Sequence, residues 1–263
     1  MSLSSSLDGR HALVCGASAG IGRAAAQAFA QRGARVSVLA RSGSGLKALL
    51  PELLAAGAPA AHALPADLED RKTLASLVEA HLVHHGPVQI LVNNTGGPPA
   101  GPLLEAREED FLRAFGRHVL AAHLLVRALL PGMRKAGYGR ILNVISTSVR
   151  EPIPGLGVSN TIRGAMASWA KTLSRELPPG VTVNNILPGF TDTGRLASLK
   201  KTLAGQRGVS PEEIQAGWLA SVPEGRLGRP EELGAVLAFL ASPEAAYVRG
   251  QSLAVDGGRL ASI

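Results

Sequence analysis

The run Gly16-Ala17-Ser18-Ala19-Gly20-Ile21-Gly22 places three glycines between an apolar, strand-like stretch and an Ala-rich helical one. This arrangement suits a pyrophosphate. Glycine permits a tight turn and close backbone approach, and the first turn of a helix offers unpartnered N–H groups with a partial positive charge. The next strand-like run ends Leu39-Ala40-Arg41-Ser42, with no acid. NAD sites commonly place a carboxylate there for the ribose hydroxyls, whereas a guanidinium suits the extra phosphate of NADP. The two features together predict a dinucleotide site that favours NADP, with NAD possible. Their bland alternatives are a glycine-rich turn and a solvated arginine.

Histidine is the other residue type here that could move protons near neutrality. His118 lies inside a long helical stretch, where it could serve as an acid with an ordinary pKa near ~6.5 or simply pack against a neighbouring helix. His81, His84 and His85 end another helix, where a solvated cluster is expected. No cysteine stands near them, and no metal site is predicted. Cys15 is the only cysteine, so no intrachain disulfide can form, and a buried strand end is its expected place.

The elements that must position these groups alternate. Strands are predicted at 11–15, 35–39, 61–64, 88–92, 141–145, 181–187 and 252–255. Helices are predicted at 21–31, 46–56, 73–84, 163–177 and 231–240, with a long helical stretch over 108–135 bent near Gly116 and Pro131. Strand–helix alternation with nearly all-apolar strands implies a doubly wound parallel α/β sheet covered on both faces. Residues 191–223 contain four glycines with weak periodicity and read as an irregular, mobile segment at the ligand-binding edge. No linker or repeat divides residues 1–263, so one dinucleotide-binding domain is expected.

The glycine spacing resembles that of the classical short-chain dehydrogenase/reductase family, and further segments resemble it in order. Ala66-Asp67-Leu68 is similar to the family's adenine-contacting segment. Asn93-Asn94-Thr95-Gly96 resembles its Asn-Asn-Ala-Gly, and Asn184 with Pro188-Gly189 resembles the segment after its sixth strand. Arg226 to Glu232 and Val255-Asp256-Gly257-Gly258 resemble its C-terminal signatures. The resemblance spans about residues 8–258 and implies a seven-stranded Rossmann-like sheet. It also implies cofactor contacts at Gly16, Ser18, Ala19, Gly20, Ile21, Gly22, Arg41, Asp67, Leu68, Asn93, Thr95, Gly96, Arg163, Pro188, Gly189, Thr191 and Thr193. Thr193 falls at the nicotinamide-amide position.

The family moves a hydride between nicotinamide and a carbonyl or alcohol carbon. A Tyr exchanges the proton, a Lys four residues later lowers its pKa, a Ser polarises the oxygen, and an Asn supports a relay water. Here Ser146 occupies the Ser position, Ser159 the Tyr position, Arg163 the Lys position and His118 the Asn position. The chain has only two tyrosines, Tyr138 and Tyr247, and neither is followed by Lys at the fourth place. A serine hydroxyl is less acidic than a phenol and shorter, and Arg163 cannot release a proton at physiological pH. The usual acid–base step therefore lacks its donor, and His118 is the available replacement.

Net charge is +7, yet the basic residues are scattered and aromatics are 3% of the chain, which argues against nucleic-acid binding. No apolar run reaches the ~18 residues of a membrane span. The Ser-rich stretch Met1 to Arg10 lacks a basic-then-apolar signal pattern, so a cytoplasmic location is expected. The leading expectation is an NADP(H)-dependent oxidoreductase acting on a small-molecule substrate with an atypical centre. A catalytically silent NADP-binding sensor or partner subunit, and a non-redox enzyme using the same pocket, are the alternatives. Apolar or small-residue faces at 121–130 and 164–173 predict a homodimer or homotetramer.

Overall fold

The computed structural model describes residues 6–262, so Met1–Ser5 of the Ser-rich stretch lie outside the described residues. In chain order the main elements are β1 His11–Cys15, α1 Gly20–Ala30, β2 Arg35–Ala40, α2 Gly43–Ala55, β3 Ala61–Pro65 and α3 Arg71–His85. Then come β4 Ile90–Asn93, α4 Glu108–Phe115, α5 Ala121–Ala136, β5 Gly139–Val144, α6 Gly157–Glu176 and β6 Val181–Pro188. The last are α7 Gly194–Arg207, α8 Pro211–Ala220, α9 Pro230–Ala241 and β7 Ser252–Val255. The seven strands pair in the order β3-β2-β1-β4-β5-β6-β7, every pair parallel. This is the doubly wound sheet that the alternation predicts.

Successive strand residues point to opposite faces, and the two faces build separate cores. Ala12 and Val14 of β1 join Phe29, Leu46, Leu53, Leu233 and Leu237 from α1, α2 and α9. Leu13 and Cys15 join Leu74, Leu125, Leu129, Met133 and Ala170 from α3, α5 and α6. Burial pushes the Cys15 thiol up to about 12, so it packs as an inert apolar group. Tyr138 locks the edge opposite the ligand edge. Its ring lies between the guanidiniums of Arg10 and Arg140, 3.8 and 4.1 Å from the centroid, and its hydroxyl donates to the Ala241 carbonyl.

Two sequence expectations need correction, and one holds in outline. The 108–135 stretch is helical throughout as expected, with a π-helical turn over Gly116–Leu120 joining α4 to α5, and α5 runs on through Pro131. A Cβ at Gly116 would stand 2.9 Å from Arg71 Nη1, so the glycine admits that side chain. The 191–223 segment is not irregular but carries α7 and α8. Thr193 caps α7 by accepting from Leu196 N at 3.2 Å, and Ser210 with Glu213 forms a reciprocal capping box on α8. Capping makes these helices, while their weak periodicity reflects how little of either is buried. The His81 ring is buried rather than solvated, because Ser37 Oγ bridges it at 2.9 Å to His11 at 2.7 Å. No described helix is long and apolar enough to cross a membrane.

Candidate active site

A cleft of about 940 Å³ runs along the carboxyl ends of the strands, at the switch point where the strand order reverses between the paired β1 and β4. Its cradle is built by the first glycine turn. Gly16 and Gly20 have φ of +61° and +56°, which glycine adopts without strain. A Cβ at Gly16 would fall 2.6 Å from Asn94 Nδ2, and one at Gly22 would fall 2.3 Å from the Gly16 carbonyl oxygen. Asn94 holds this turn by donating to the Cys15 and Gly16 carbonyls, each at 3.3 Å. No side chain caps α1, and its first turn has no acid, so its N–H groups face the cleft unpartnered. Glycine packing and uncapped N–H groups together fit a dinucleotide pyrophosphate.

Most of the expected cofactor residues line this cleft. Ser18, Ala19, Gly20 and Ile21 lie beside Gly16. Arg41 sits at the end of β2, Asp67 and Leu68 after β3, and Thr95 and Gly96 after β4. Pro188 ends β6, and Gly189, Thr191 and Thr193 follow it. Thr193 Cγ2 lies within 3.1 Å of where a Gly20 Cβ would be, so the two ends of the cradle nearly touch. Two expected contacts are placed elsewhere. Gly22 is buried behind the turn and acts through packing. Asn93 donates to Asn143 Oδ1 at 2.8 Å, Asn143 donates to Asn185 Oδ1 at 2.9 Å, and Asn185 donates to Ser252 Oγ at 3.0 Å. This amide ladder ties β4 to β7 under the site, so Asn93 supports the sheet rather than lining the cleft.

Ser146, Ser159 and Arg163 also meet in the cleft. Helix α6 begins at Gly157, six residues before the sequence-based start. Ser159 and Arg163 therefore stand one helical turn apart on the same face. Arg163 is 7% exposed, and its Nη1 donates to the Val144 carbonyl at 2.9 Å. Burial, and after it the charge of Arg195, brings its pKa down to about 10, which leaves it cationic at neutral pH. Ser146 Oγ accepts from Ser148 N at 3.1 Å, which keeps its own O–H available. Neither tyrosine lines the cleft.

His118 lies behind Arg163 in a small adjoining cavity, not in the main cleft. It is 5% exposed, and its Nε2 has no hydrogen-bond partner among the described residues. Burial first, then the charges of Arg163 and Arg117, holds its pKa down to about 2. It is a neutral imidazole at physiological pH.

The structure adds residues that sequence reasoning missed. Arg195 reaches into the cleft from the first turn of α7 and donates to the Pro98 carbonyl at 2.6 Å. Ile153, Leu156, Leu199, Leu203 and Trp218 form an apolar wall, with Trp218 stacked on Phe190 at 4.9 Å. Arg117 lines the cleft while paired to Glu69. No motif marks these side chains, although the capping box of α8 was present in the sequence.

A family model described as "Enoyl-(Acyl carrier protein) reductase" matches residues 16–259. The 3-oxoacyl-[acyl-carrier-protein] reductase of Vibrio cholerae is 36% identical over 255 residues, covering 96% of this chain and 98% of that protein. L-sorbose reductase from Gluconobacter frateurii, complexed with NADPH and L-sorbose, superposes with a TM-score of 0.92 at 30% identity, covering 99% of this chain and 100% of that one. YwfH, an NADPH-dependent reductase involved in bacilysin biosynthesis, superposes with a TM-score of 0.90 at 28% identity, covering 97% of this chain and 99% of that one. With the fold, the glycine cradle and the near-full-length matches in agreement, this chain belongs to the short-chain dehydrogenase/reductase family of NAD(P)-dependent oxidoreductases.

Proposed function

We propose that the protein is an NADP(H)-dependent reductase whose substrates do not need an enzyme acid on oxygen at the moment of hydride transfer. The observation that carries this reading is the pair Ser159 and Arg163, one turn apart on α6 beside Ser146, with no tyrosine in the cleft. A nicotinamide dinucleotide supplies a hydride donor or acceptor when bound. Ser146 can donate a hydrogen bond to a substrate oxygen, and Ser159 adds a second hydroxyl. Arg163 supplies a fixed positive charge that stabilises negative charge developing nearby. None of the three releases a proton near pH 7. The best-matched substrates are electron-poor ones whose hydride adduct is a resonance-stabilised anion, such as carbonyl-conjugated alkenes, which solvent can protonate later.

The preference for NADP rests on Arg41, with Ser42 beside it, since the described residues that line the cleft at the end of β2 include no acid. Two of the structural relatives are NADPH proteins by description. His118 is assigned a positioning role against Arg163, since a neutral buried imidazole has no proton to give at neutral pH. We also propose a homodimer or homotetramer. Leu112, Phe115 and Leu120, on α4 and the turn after it, are 64%, 40% and 38% exposed and would gain a partner in it.

The test is NADPH consumption with matched substrates. A conjugated enone should be reduced at its C=C bond while the corresponding saturated ketone is turned over at least ~10²-fold more slowly. Ordinary ketone reduction at typical enzyme rates of ~1–10³ per second would defeat the reading. NADPH binding with no consumption on any acceptor would favour a silent sensor.

A further inference from the structure

The cleft as a whole concentrates positive charge. Arg41, Arg117, Arg163 and Arg195 line it, against Asp67 as the one lining acid among the described residues. Arg117 is neutralised by Glu69. Arg41 stands at the end of β2, by the adenosine side. Arg163 and Arg195 belong to none of the ion pairs found among the described residues.

These two converge on one point. A Cβ built at Gly97 would lie 3.3 Å from Arg195 Nη2, 3.7 Å from its Nε and 3.8 Å from Arg163 Nη2. Gly97, lacking a side chain, leaves that point open. Backbone fixes both guanidiniums: Arg163 through the Val144 carbonyl and Arg195 through the Pro98 carbonyl. Each keeps further N–H donors, because a guanidinium carries five. Two half-satisfied guanidiniums held side by side repel each other unless an anion comes between them. Burial first, and the charge of Arg195 after it, lowers the pKa of Arg163. Beside the pair stands the apolar wall of Leu156, Leu199, Leu203 and Trp218.

We infer that Arg195 and Arg163 form a carboxylate subsite, so that the substrate is an organic acid with an apolar body. This rests on the reading of the cleft as a reductase site and names the class of molecule it takes. Arg195 is the specificity-determining group. The carboxylate sits between the two guanidiniums while the apolar body lies on the α7–α8 wall. Arg163 then has two uses: holding the acid and stabilising charge that develops on the conjugated system. The dinucleotide pyrophosphate is the rival anion, because Thr193, two residues before Arg195, borders the glycine cradle.

The experiment is calorimetric binding to the NADP+-saturated protein, using 3-benzoylpropionate and aliphatic 4-oxo acids, each paired with its methyl ester. Wild type should bind acids about tenfold or more tightly than the esters, as charge-assisted bonds to guanidinium allow. In Arg195→Leu this acid preference should collapse, and in Arg195→Lys it should return in part, while NADP+ affinity stays within about twofold. Thr193 remains to cap α7 in both variants, and circular dichroism checks their fold. Equal binding of acid and ester by wild type, or binding of neither across the panel, overturns the inference. So does an Arg195→Leu protein that loses NADP+ affinity about tenfold but keeps its acid preference, which would assign Arg195 to the pyrophosphate. Because the readout is binding, acid preference without NADPH consumption would leave the subsite standing and sink the reductase reading. Rapid conjugated-enone reduction with no acid preference would do the reverse.

Discussion

The two ends of one cleft are built under different steric constraints. The glycine cradle keeps every feature that a pyrophosphate needs: positive-φ glycines, no room for a Cβ, and an uncapped helix start. The centre a few residues along β5 and α6 holds Ser146, Ser159 and Arg163, and in the proposed function Ser159 and Arg163 stand in for a phenol and an ammonium. Steric demand explains the contrast. A Cβ 2.3 Å from a carbonyl oxygen cannot be accommodated by small shifts, so the cradle tolerates almost no substitution. The centre is a set of side chains around open space, where a change alters the reaction without unfolding the frame.

Breaking the cradle should therefore have the largest effect. Gly22→Ala is expected to lower NADPH affinity by more than about 10³-fold in calorimetry while circular dichroism still reports the fold. A folded Gly22→Ala protein that binds NADPH like wild type would erase the contrast. At the other end, the paired change Ser159→Tyr with Arg163→Lys should raise reduction of ordinary ketones by about 10²-fold. Either change alone should do less, because the phenol needs the ammonium. A double variant no better than its parents would show that more than the proton donor separates this centre from its relatives. Arg41→Asp should move the NADP/NAD affinity ratio toward NAD by about tenfold or more, since a carboxylate repels the phosphate and accepts from ribose hydroxyls.

The smaller effects lie away from the reaction. Burial holds His11 down to about 3 and His81 to about 4, and His118 to about 2. The unfolded chain would protonate these rings near ~6.5, so below that pH it binds more protons than the native protein. Stability is thus full above pH ~6.5. It should fall as pH drops toward 4, by about 1 kcal/mol per pH unit for each buried ring. Thermal melts from pH 7 to 4.5 check this, and His11→Asn with His81→Asn should flatten the slope. A slope unchanged by the pair would place the acid sensitivity elsewhere. His118→Asn should change turnover less than about threefold and leave the pH profile of kcat/KM in place; loss of an ionisation from that profile would restore the histidine as an acid.

Some of this chemistry was readable along the chain because it is local. The strands are short apolar runs, and β1, β6 and β7 fall within a residue of their predicted bounds. The glycine turn links a strand to the next helix within seven residues, so its spacing carries its geometry. Ser159 and Arg163 are four residues apart within α6, so their spacing alone puts them on one face. Helices α7 and α8 escaped notice for the same kind of reason: they bury little, and periodicity reports burial.

Other properties arise only when distant segments meet. Nothing near Arg195 in the chain indicates that its guanidinium lies beside that of Arg163, because the space between them belongs to Gly97, some hundred residues earlier. His118 has an ordinary local sequence, yet burial beside two arginines strips its proton. His81 looks like a solvated helix end until Ser37 and His11 close over it. Backbone conformation at a strand–helix junction depends on the few residues that form it. Burial, charge and the pairing of polar atoms depend on what the fold brings up against a side chain, and that surrounding is assembled from the whole chain.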